Sequence, residues 1–141
     1  MYYVNRTSID SRLACIPDVA QALSVIASEW RGTLLQGLAQ ERALHLAIEI
    51  ITDVGSSLID GFLMRDASSY EDIVEIVAGE GVVPTEDAEL LRRLVMLRRP
   101  LVQDYAEWPR TELHALTSVL PDLLARFAEY IRRYLRSELG E

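Results

Sequence analysis

Hydrophobic side chains recur every three or four residues along almost the whole chain, and this spacing places them on one face of an α-helix. The first such row consists of Ile9, Leu13, Ile16, Ala20, Leu23, Ile26 and Trp30. Pro17 lies inside this row without disturbing its register, so we expect one helix that is kinked rather than stopped at the proline. A second row predicts a helix from about residue 38 to residue 63. Gly55 and Gly61 weaken that helix, which implies that packing holds it together.

Three further helices are predicted in the second half of the chain. The stretch "RDASSYEDIVEIVAGEG" predicts a short helix that begins at Ser68 or Ser69 as its cap and ends at the glycines. The stretch "VVPTEDAELLRRLVMLRR" predicts a fourth helix with Thr85 as its cap. The last apolar row keeps its register across Pro121, so it predicts one long, kinked helix from about residue 111 to residue 137.

The order of these elements predicts the fold class. No segment shows the sustained alternation of apolar and polar residues that is typical of a strand, and there is no internal repeat or long linker. A chain of 141 residues is long enough to bury one sizeable core. We therefore expect a single domain over residues 1–141, built as an all-α, up-and-down bundle of about five helices.

Charge is unevenly distributed along the chain. The formal net charge is −8, which disfavours broad, non-specific binding to nucleic acid. Residues 90–136, however, hold nine arginines and five acidic residues, in runs such as "LLRRLVMLRR" and "YIRRYLR". Such runs are usually solvated helix faces. If they converge in space, they form the one surface of the chain that is suited to phosphate groups.

Nothing in the sequence predicts export or insertion into a membrane. The first residues lack the basic segment and apolar run of a signal peptide, and no apolar stretch approaches the roughly 18 residues that a membrane span needs. Cys15 is the single cysteine, so no internal disulfide can form and a cytoplasmic location is the simplest expectation. Because Cys15 falls in or beside the first apolar row, we expect it to lie in the core.

Candidate metal ligands occur on the predicted second helix. Glu49, Asp53 and Asp60 share one face, and His45 precedes Glu49 by one turn. A metal site would also need inward-facing ligands from another helix, and the chain has no Glu-x-x-His pair. We therefore interpret this row as a solvated face and expect no metal. His45 and His114 are the only histidines, and neither has a nucleophile beside it in sequence, so we expect no catalytic role for either. No motif for a cofactor is present.

Three stretches resemble, in order and spacing, those of one known family. They are "ERALHLAIEIITDVGSSLIDGF", "SSYEDIVEIVAGEGVVP" and "LRRLVMLRRPLVQDY". Together they resemble the HepT-like branch of the HEPN superfamily, and the resemblance extends from "MYYVNR" to the last helix. It implies an all-α bundle that forms a homodimer. It also implies a metal-independent endoribonuclease, the toxin of a toxin–antitoxin pair, encoded beside a small nucleotidyltransferase antitoxin.

The signature of this family is Arg, four to six residues, His, any residue, Tyr. Arg98 and Tyr105 match its two ends, but Gln103 stands where the histidine belongs. The resemblance makes these three the candidate catalytic residues, and it makes Tyr105 the candidate acceptor of AMP from the antitoxin. The arginine-rich runs would then supply the RNA-binding residues Arg92, Arg93 and Arg99.

Gln103 leaves two functions open. Cleavage of RNA without a metal requires that a proton leave a 2′-hydroxyl and that another reach the departing oxygen, and histidine performs such transfers because it titrates near neutral pH. A glutamine amide does not titrate in this range, although it can donate a hydrogen bond to a phosphate. The chain is therefore either an RNA-cleaving toxin or a catalytically inactive dimer that binds RNA or a protein and serves a regulatory role.

The spacing of the motif raises a question of geometry. In a straight helix, residues 98 and 105 share a face, whereas residue 103 is turned by about 140° from residue 98. A bend or a helix end is needed to bring the three side chains together. Pro100 can supply the bend, or it can be a tolerated kink without any further role.

Overall fold

The computed structural model describes residues 2–141 of the chain, and in this range it contains helices and no strand. The seven α-helices are α1 (Arg6–Leu13), α2 (Ile16–Ser28), α3 (Leu34–Gly61), α4 (Tyr70–Gly79), α5 (Thr85–Met96), α6 (Arg98–Val102) and α7 (Leu120–Leu139). A short 3-10 helix, Tyr105–Glu107, lies between α6 and α7. The predicted all-α fold is confirmed, and five of the α-helices have ten residues or more.

The first apolar row forms two helices, so the prediction of one kinked helix is wrong. Pro17 is the second residue of α2 and has no N–H to donate to the carbonyl of Leu13, so helical bonding stops before it. The break consists of Ala14 and Cys15. Cys15 is exposed rather than part of the core, and its thiol faces the carbonyl of Ser11 at 3.5 Å.

The last apolar row is also shorter as a helix than predicted. α7 begins at Leu120, and Pro121 occupies its first turn, where a missing N–H costs nothing. Residues 111–119 form turns instead of a helix, although Leu116 still contributes to the core. Pro121 therefore marks the start of the last helix rather than a kink inside it.

The predicted helix caps are partly correct. Ser69 caps α4, because its hydroxyl accepts the N–H of Asp72 at 3.0 Å. Thr85, by contrast, is the first helical residue of α5, and the cap position belongs to Pro84.

The central element of the fold is α3, which packs against α1, α2, α4, α5 and α6. A capping box fixes its start: the hydroxyl of Thr33 accepts the N–H of Gln36, and the amide oxygen of Gln36 accepts the N–H of Thr33. Gly55 permits close packing against α4, because a Cβ atom there would lie 2.4 Å from Cγ2 of Ile73. Packing therefore holds this helix despite its glycines, as the sequence implied.

The main hydrophobic cluster receives side chains from α1, α2, α3, α4, α5, α6 and α7. Its most completely buried large side chains include Leu44, Leu94, Leu120 and Phe127. This core holds the first half of α3 beside the chain that follows α5, where the motif residues lie. Within residues 2–141, no helix is long and apolar enough to cross a membrane.

Candidate functional site

The motif segment begins at a break between two helices. α5 ends at Met96, and Arg98 is the first residue of α6. Pro100 is the third residue of α6, and it has no N–H for the carbonyl of Met96, so the hydrogen-bond ladder of α5 cannot continue through it. The helical hydrogen bonding is therefore interrupted just before Arg98.

The motif segment also contains a helix end. α6 stops at Val102, and the N–H of Gln103 closes it by donating to the carbonyl of Arg99 at 2.8 Å. The 3-10 helix then starts at Tyr105. The three motif residues therefore occupy the start of α6, its end and the beginning of the next turn, rather than one straight helix.

Arg98 is held between an aromatic ring and a carboxylate. Its guanidinium carbon lies 4.2 Å from the centroid of the Tyr70 ring, and its Nε lies 3.6 Å from Oε1 of Glu49. Nε is buried and donates no hydrogen bond to any residue in 2–141. The two Nη groups are not bonded to described residues either, and the side chain is 26% exposed. Arg98 is thus fixed in position with donors free for a ligand.

Gln103 and Tyr105 are both exposed, and the side chain of Tyr105 reaches solvent with 61% of the residue accessible. No hydrogen bond joins the side chains of Arg98, Gln103 and Tyr105 to one another in the part of the chain that is described. The main chain of Tyr105 is held in place, because its carbonyl accepts Nη2 of Arg110 at 3.3 Å. The structure therefore places the three residues on one short segment without linking their side chains.

One face of α3 runs along this segment. Glu41, His45 and Glu49 follow each other at one-turn intervals on that face. Glu41 binds Arg110, with Nη2 of the arginine 2.9 Å from Oε1, and Glu49 pairs with Arg98. Since these two arginines flank Gln103 and Tyr105 in sequence, the motif segment lies across about two turns of α3, with His45 at the middle turn.

The connection after the 3-10 helix is clamped onto the first half of α3. Gln40 is fully buried: its Nε2 donates to the carbonyl of Glu112 at 3.0 Å, and its Oε1 accepts the N–H of His114 and the hydroxyl of Thr117. Gly37 allows close approach, because a Cβ atom there would lie 2.1 Å from the carbonyl oxygen of Arg110. These contacts hold Arg110, and with it the main chain of Tyr105.

His45 belongs to a hydrogen-bonded group that sequence reasoning missed. Its Nε2 lies 3.2 Å from Oε1 of Glu49, and its Nδ1 lies 3.4 Å from Nη1 of Arg42. Arginine can only donate, so Nδ1 accepts and the neutral ring carries its proton on Nε2, facing the carboxylate. The spacing of His45 and Glu49 was a visible signal, but their alignment with Arg98 depends on the packing of α3 against α6.

The other histidine is occupied differently. Nδ1 of His114 accepts the N–H of Leu116 at 3.0 Å, and the ring stacks on Trp108 with 5.8 Å between centroids. Burial lowers the pKa of His114 below its usual value. This histidine supports the connection before α7 rather than the motif segment.

The predicted RNA-binding arginines differ in how strongly neighbouring carboxylates already bind them. Arg92 is engaged by two carboxylates, with Nε 2.5 Å from Glu75 and Nη1 bound to Glu89. Arg93 makes a weak ion pair, with Nε 4.0 Å from Oε1 of Glu89. The side chain of Arg99 is 78% exposed, and its Nε lies 3.8 Å from Oδ2 of Asp104. A phosphate would reach Arg93 and Arg99 readily, whereas at Arg92 it would have to displace carboxylates.

The acidic row of α3 is used in ion pairs. Glu49 pairs with Arg98, and Asp53 pairs with Arg12 at 3.3 Å. Asp60 is exposed. Among residues 2–141, no three His, Cys, Asp or Glu side chains are grouped in a way that would hold a metal ion.

Comparison with known proteins identifies the family. A family model described as "Ribonuclease HepT-like" matches residues 14–132. The chain belongs to the HepT-like ribonuclease family. The matched region contains both the α3 face and the whole motif segment.

This HepT-like chain resembles YutE, in sequence and in structure, and one chain of a toxin–antitoxin structure. "Putative RNase YutE" of Bacillus subtilis (strain 168) is 38% identical over 140 residues, which cover 99% of this chain and 96% of the relative. A solved structure of YutE, described as a cytosolic protein of unknown function, is 37% identical with a TM-score of 0.87, covering 100% of this chain and 97% of that chain. A crystal structure of a toxin–antitoxin with AMP-PNP has a TM-score of 0.74 over 87% of this chain and 96% of that chain. At 15% identity, it shows a common fold alone.

Proposed function

We propose that this HepT-like chain is a metal-independent endoribonuclease that acts as the toxin of a toxin–antitoxin pair. The observation that carries the proposal is the state of Arg98: the side chain is held by Tyr70 and Glu49, yet its Nη groups have no bond to the described residues. An arginine that is positioned but not saturated is suited to a phosphate group. Membership of a ribonuclease family makes the phosphodiester of RNA the ligand of choice.

In the proposed reaction, the 2′-oxygen of RNA attacks the adjacent phosphorus and the bond to the 5′-oxygen breaks. Negative charge accumulates on the non-bridging oxygens in the transition state, and Arg98 is placed to donate to them. Gln103 can donate its amide N–H to the same phosphate. Arg99 and Arg93, which are exposed, can contact neighbouring phosphates of the strand, while Arg92 contributes mainly through its charge.

The proposed partners follow from the family resemblance and from the exposure of Tyr105. We propose a homodimer whose motif segments face one another across the twofold axis, and a nucleotidyltransferase antitoxin that silences the toxin by adding AMP to Tyr105. The exposed side chain of Tyr105 leaves its hydroxyl open to such an enzyme. The description of YutE as cytosolic supports the cytoplasmic location expected for this chain. Mass spectrometry after co-expression tests the modification, and unmodified Tyr105 would count against it.

A second function is favoured by one observation, the replacement of the signature histidine by Gln103. A protein with this site would bind RNA, or a protein partner, without cleaving the strand. The loss of a positioned proton-transfer group typically slows a reaction by about 10²–10⁴-fold. The two functions differ in a single measurable quantity, the rate of RNA cleavage.

The decisive assay incubates purified protein with single-stranded RNA in EDTA. The proposed function predicts cleavage products that end in a 2′,3′-cyclic phosphate. Arg98→Lys keeps the charge but loses the planar pair of donors, and it should slow cleavage by about 10²-fold or more. If the wild type and Gln103→His are both inert, the chain is not a ribonuclease. If Arg98→Lys cleaves as fast as the wild type, the activity does not arise at this site.

A further inference from the structure

We propose that His45, oriented by Glu49, accepts the proton of the RNA 2′-hydroxyl and so supplies the proton transfer that Gln103 cannot perform. This inference rests on the proposed function, since it concerns the same cleavage reaction at the same motif segment. It differs from the family signature because His45 lies on α3, more than fifty residues before the motif. From the sequence alone we expected no catalytic role for His45, because no nucleophile lies beside it in the chain.

The position of His45 supports this role. Glu41 and Glu49 lie one turn on either side of His45, and they hold Arg110 and Arg98, the arginines that flank Gln103 and Tyr105. Each turn separates neighbouring residues of this face by about 6 Å along the helix axis. His45 therefore lies on the α3 face that the motif segment crosses, at the level between its two anchoring ion pairs.

The orientation of the His45 ring also supports this role. A single oxygen, Oε1 of Glu49, lies 3.2 Å from Nε2 of His45 and 3.6 Å from Nε of Arg98. A carboxylate that holds one ring nitrogen fixes the tautomer and leaves the other nitrogen as the proton acceptor, as in hydrolytic triads. In this chain that other nitrogen is Nδ1, and the same carboxylate ties the imidazole to the phosphate-binding arginine.

The imidazole ring of His45 is also accessible from solvent. The imidazole side chain of His45 is 29% exposed. Its Nδ1 is approached by Nη1 of Arg42 at 3.4 Å, a long contact on an exposed side chain. A bound phosphate would attract Arg42 away from the ring, which opens Nδ1 to a 2′-hydroxyl. The charged groups that face His45 are thus Arg42 and Glu49 on α3, with Arg98 on α6 behind the carboxylate.

The proposed step is balanced without any oxidant or metal. The 2′-oxygen forms a bond to phosphorus while its proton moves to Nδ1 of His45, and Glu49 stabilises the resulting imidazolium. The bond from phosphorus to the 5′-oxygen breaks, and that oxygen takes a proton from water. The products are a 2′,3′-cyclic phosphate and a 5′-hydroxyl, and the imidazolium returns its proton to solvent.

Other groups near the motif are less suited to this role. His114 uses Nδ1 to accept a main-chain N–H and lies in the connection that Gln40 clamps. Tyr105 is exposed, and no carboxylate among residues 2–141 holds its hydroxyl as Glu49 holds the ring of His45. Glu49 is already bound to a histidine and an arginine. His45 combines a fixed orientation with an acceptor nitrogen, Nδ1, that is engaged only by the long contact to the exposed side chain of Arg42.

The test compares five proteins in EDTA: wild type, His45→Gln, Gln103→His, the double variant His45→Gln with Gln103→His, and His114→Asn. Glutamine at position 45 can still donate to Glu49 but cannot accept a proton. Asparagine at position 114 keeps an acceptor for the N–H two residues on, so it is a matched control for loss of a histidine. Circular dichroism verifies folding, fluorescence anisotropy measures RNA affinity, and cleavage is measured across pH 5–9.

The inference predicts that His45→Gln binds RNA with wild-type affinity and cleaves it about 10²–10⁴-fold more slowly. It also predicts that the variant loses the fall in rate on the acid side of the wild-type profile, where an imidazolium cannot accept a proton. The double variant should recover a large part of the rate, and His114→Asn should match the wild type.

Three other outcomes overturn the inference and are distinguishable from failure of the proposed function. If His45→Gln cleaves as fast as the wild type, the inference fails while the ribonuclease proposal stands. If the wild type is inert and Gln103→His alone is active, His45 does not replace the signature histidine, although the motif segment remains an RNA site. If no variant binds or cleaves RNA, both proposals fail.

Discussion

The guanidinium carbon of Arg98 lies 4.2 Å from the centroid of the Tyr70 ring, so an aromatic residue at the start of α4 supports an arginine at the start of α6. This contact lies beside the Glu49 ion pair and leaves the Nη groups of Arg98 available. Tyr70 and Glu49, both distant from Arg98 in sequence, thereby hold its side chain in a position where an anion can bind. The proposed function rests on this arrangement of Arg98, Tyr70 and Glu49.

Removal of the aromatic ring should weaken RNA binding without affecting the fold. A cation–π contact at an exposed site contributes about 0.5–1 kcal/mol, so Tyr70→Leu should reduce RNA affinity about two- to fivefold. Tyr70→Phe keeps the ring and should bind as the wild type does. Fluorescence anisotropy with labelled RNA measures both. Equal affinities for the leucine and phenylalanine variants would show that the ring does not position Arg98.

A methyl group at Gly37 should disturb the clamp that holds the motif segment. A Cβ atom there would lie 2.1 Å from the carbonyl oxygen of Arg110, so Gly37→Ala must displace the main chain at Arg110. We expect a loss of about 1–3 kcal/mol in unfolding free energy, typical of overpacking. Gly79→Ala is the matched control, since no atom lies within 4 Å of its Cβ position. Urea denaturation distinguishes the two, and an equal effect would refute the close approach.

The hydrogen bonds that buried Asp87 accepts from Arg126 and Tyr130 should make stability depend on pH. Hydrogen bonds from Arg126, and then from Tyr130, hold the pKa of Asp87 below its ordinary value. A lowered folded-state pKa means that the stabilisation is present above the ordinary carboxyl pKa of about 3.9 and is lost as the pH falls through the folded value.

Asp87→Asn should therefore unfold more easily than the wild type at pH 7, by about 1–3 kcal/mol, the range for hydrogen bonds to charged groups. The difference should shrink as the pH falls below about 4, because the carboxyl group of the unfolded wild type takes up a proton there while the folded carboxylate stays ionised until a lower pH. Urea titrations at several pH values measure it. A difference that stays constant from pH 7 to pH 3 would contradict this role for the carboxylate. Tyr130→Phe, which removes one hydrogen bond but no charge, should cost less.

Cys15 should react with thiol reagents while the protein is folded. It lies in the break between α1 and α2 and is exposed. Labelling with a maleimide should therefore modify one thiol per chain at a rate close to that of the urea-unfolded protein. Protection of the thiol by more than about tenfold would restore the core position that the sequence predicted.

The helical pattern predicted the fold class well and the helix ends less well. Ala14 stays in the right-handed helical region, with φ −65° and ψ −19°, so the side-chain register passes almost unchanged through the break before Pro17. Periodicity therefore cannot distinguish a kinked helix from two consecutive ones. The turns before α7 could not be predicted for a different reason. Buried Gln40 on α3 makes hydrogen bonds with the main chain of Glu112 and His114, which replace the bonds that a helix there would have made.

The sequence indicated which segment carries the candidate site, but not which side chains from other helices surround it. Arg98, Gln103 and Tyr105 became candidates because they match, with glutamine in place of histidine, the signature of the family that the sequence resembles. The contacts of Tyr70 and Glu49 with Arg98 depend on how α3, α4 and α6 pack. No local pattern encodes such distances, so the environment of Arg98 had to come from the structure.

The most direct test of the central claim is the affinity of this protein for single-stranded RNA in EDTA, measured for the wild type, Arg98→Lys and Arg31→Ala. Arg31 is exposed just before α3, whose first residue is roughly 22 Å along the helix axis from Glu49. The account predicts that Arg98→Lys weakens binding by tenfold or more although it keeps the charge, and that Arg31→Ala changes it less than twofold. If the two variants weaken binding equally, or neither does, Arg98 is not the phosphate contact and the account is wrong.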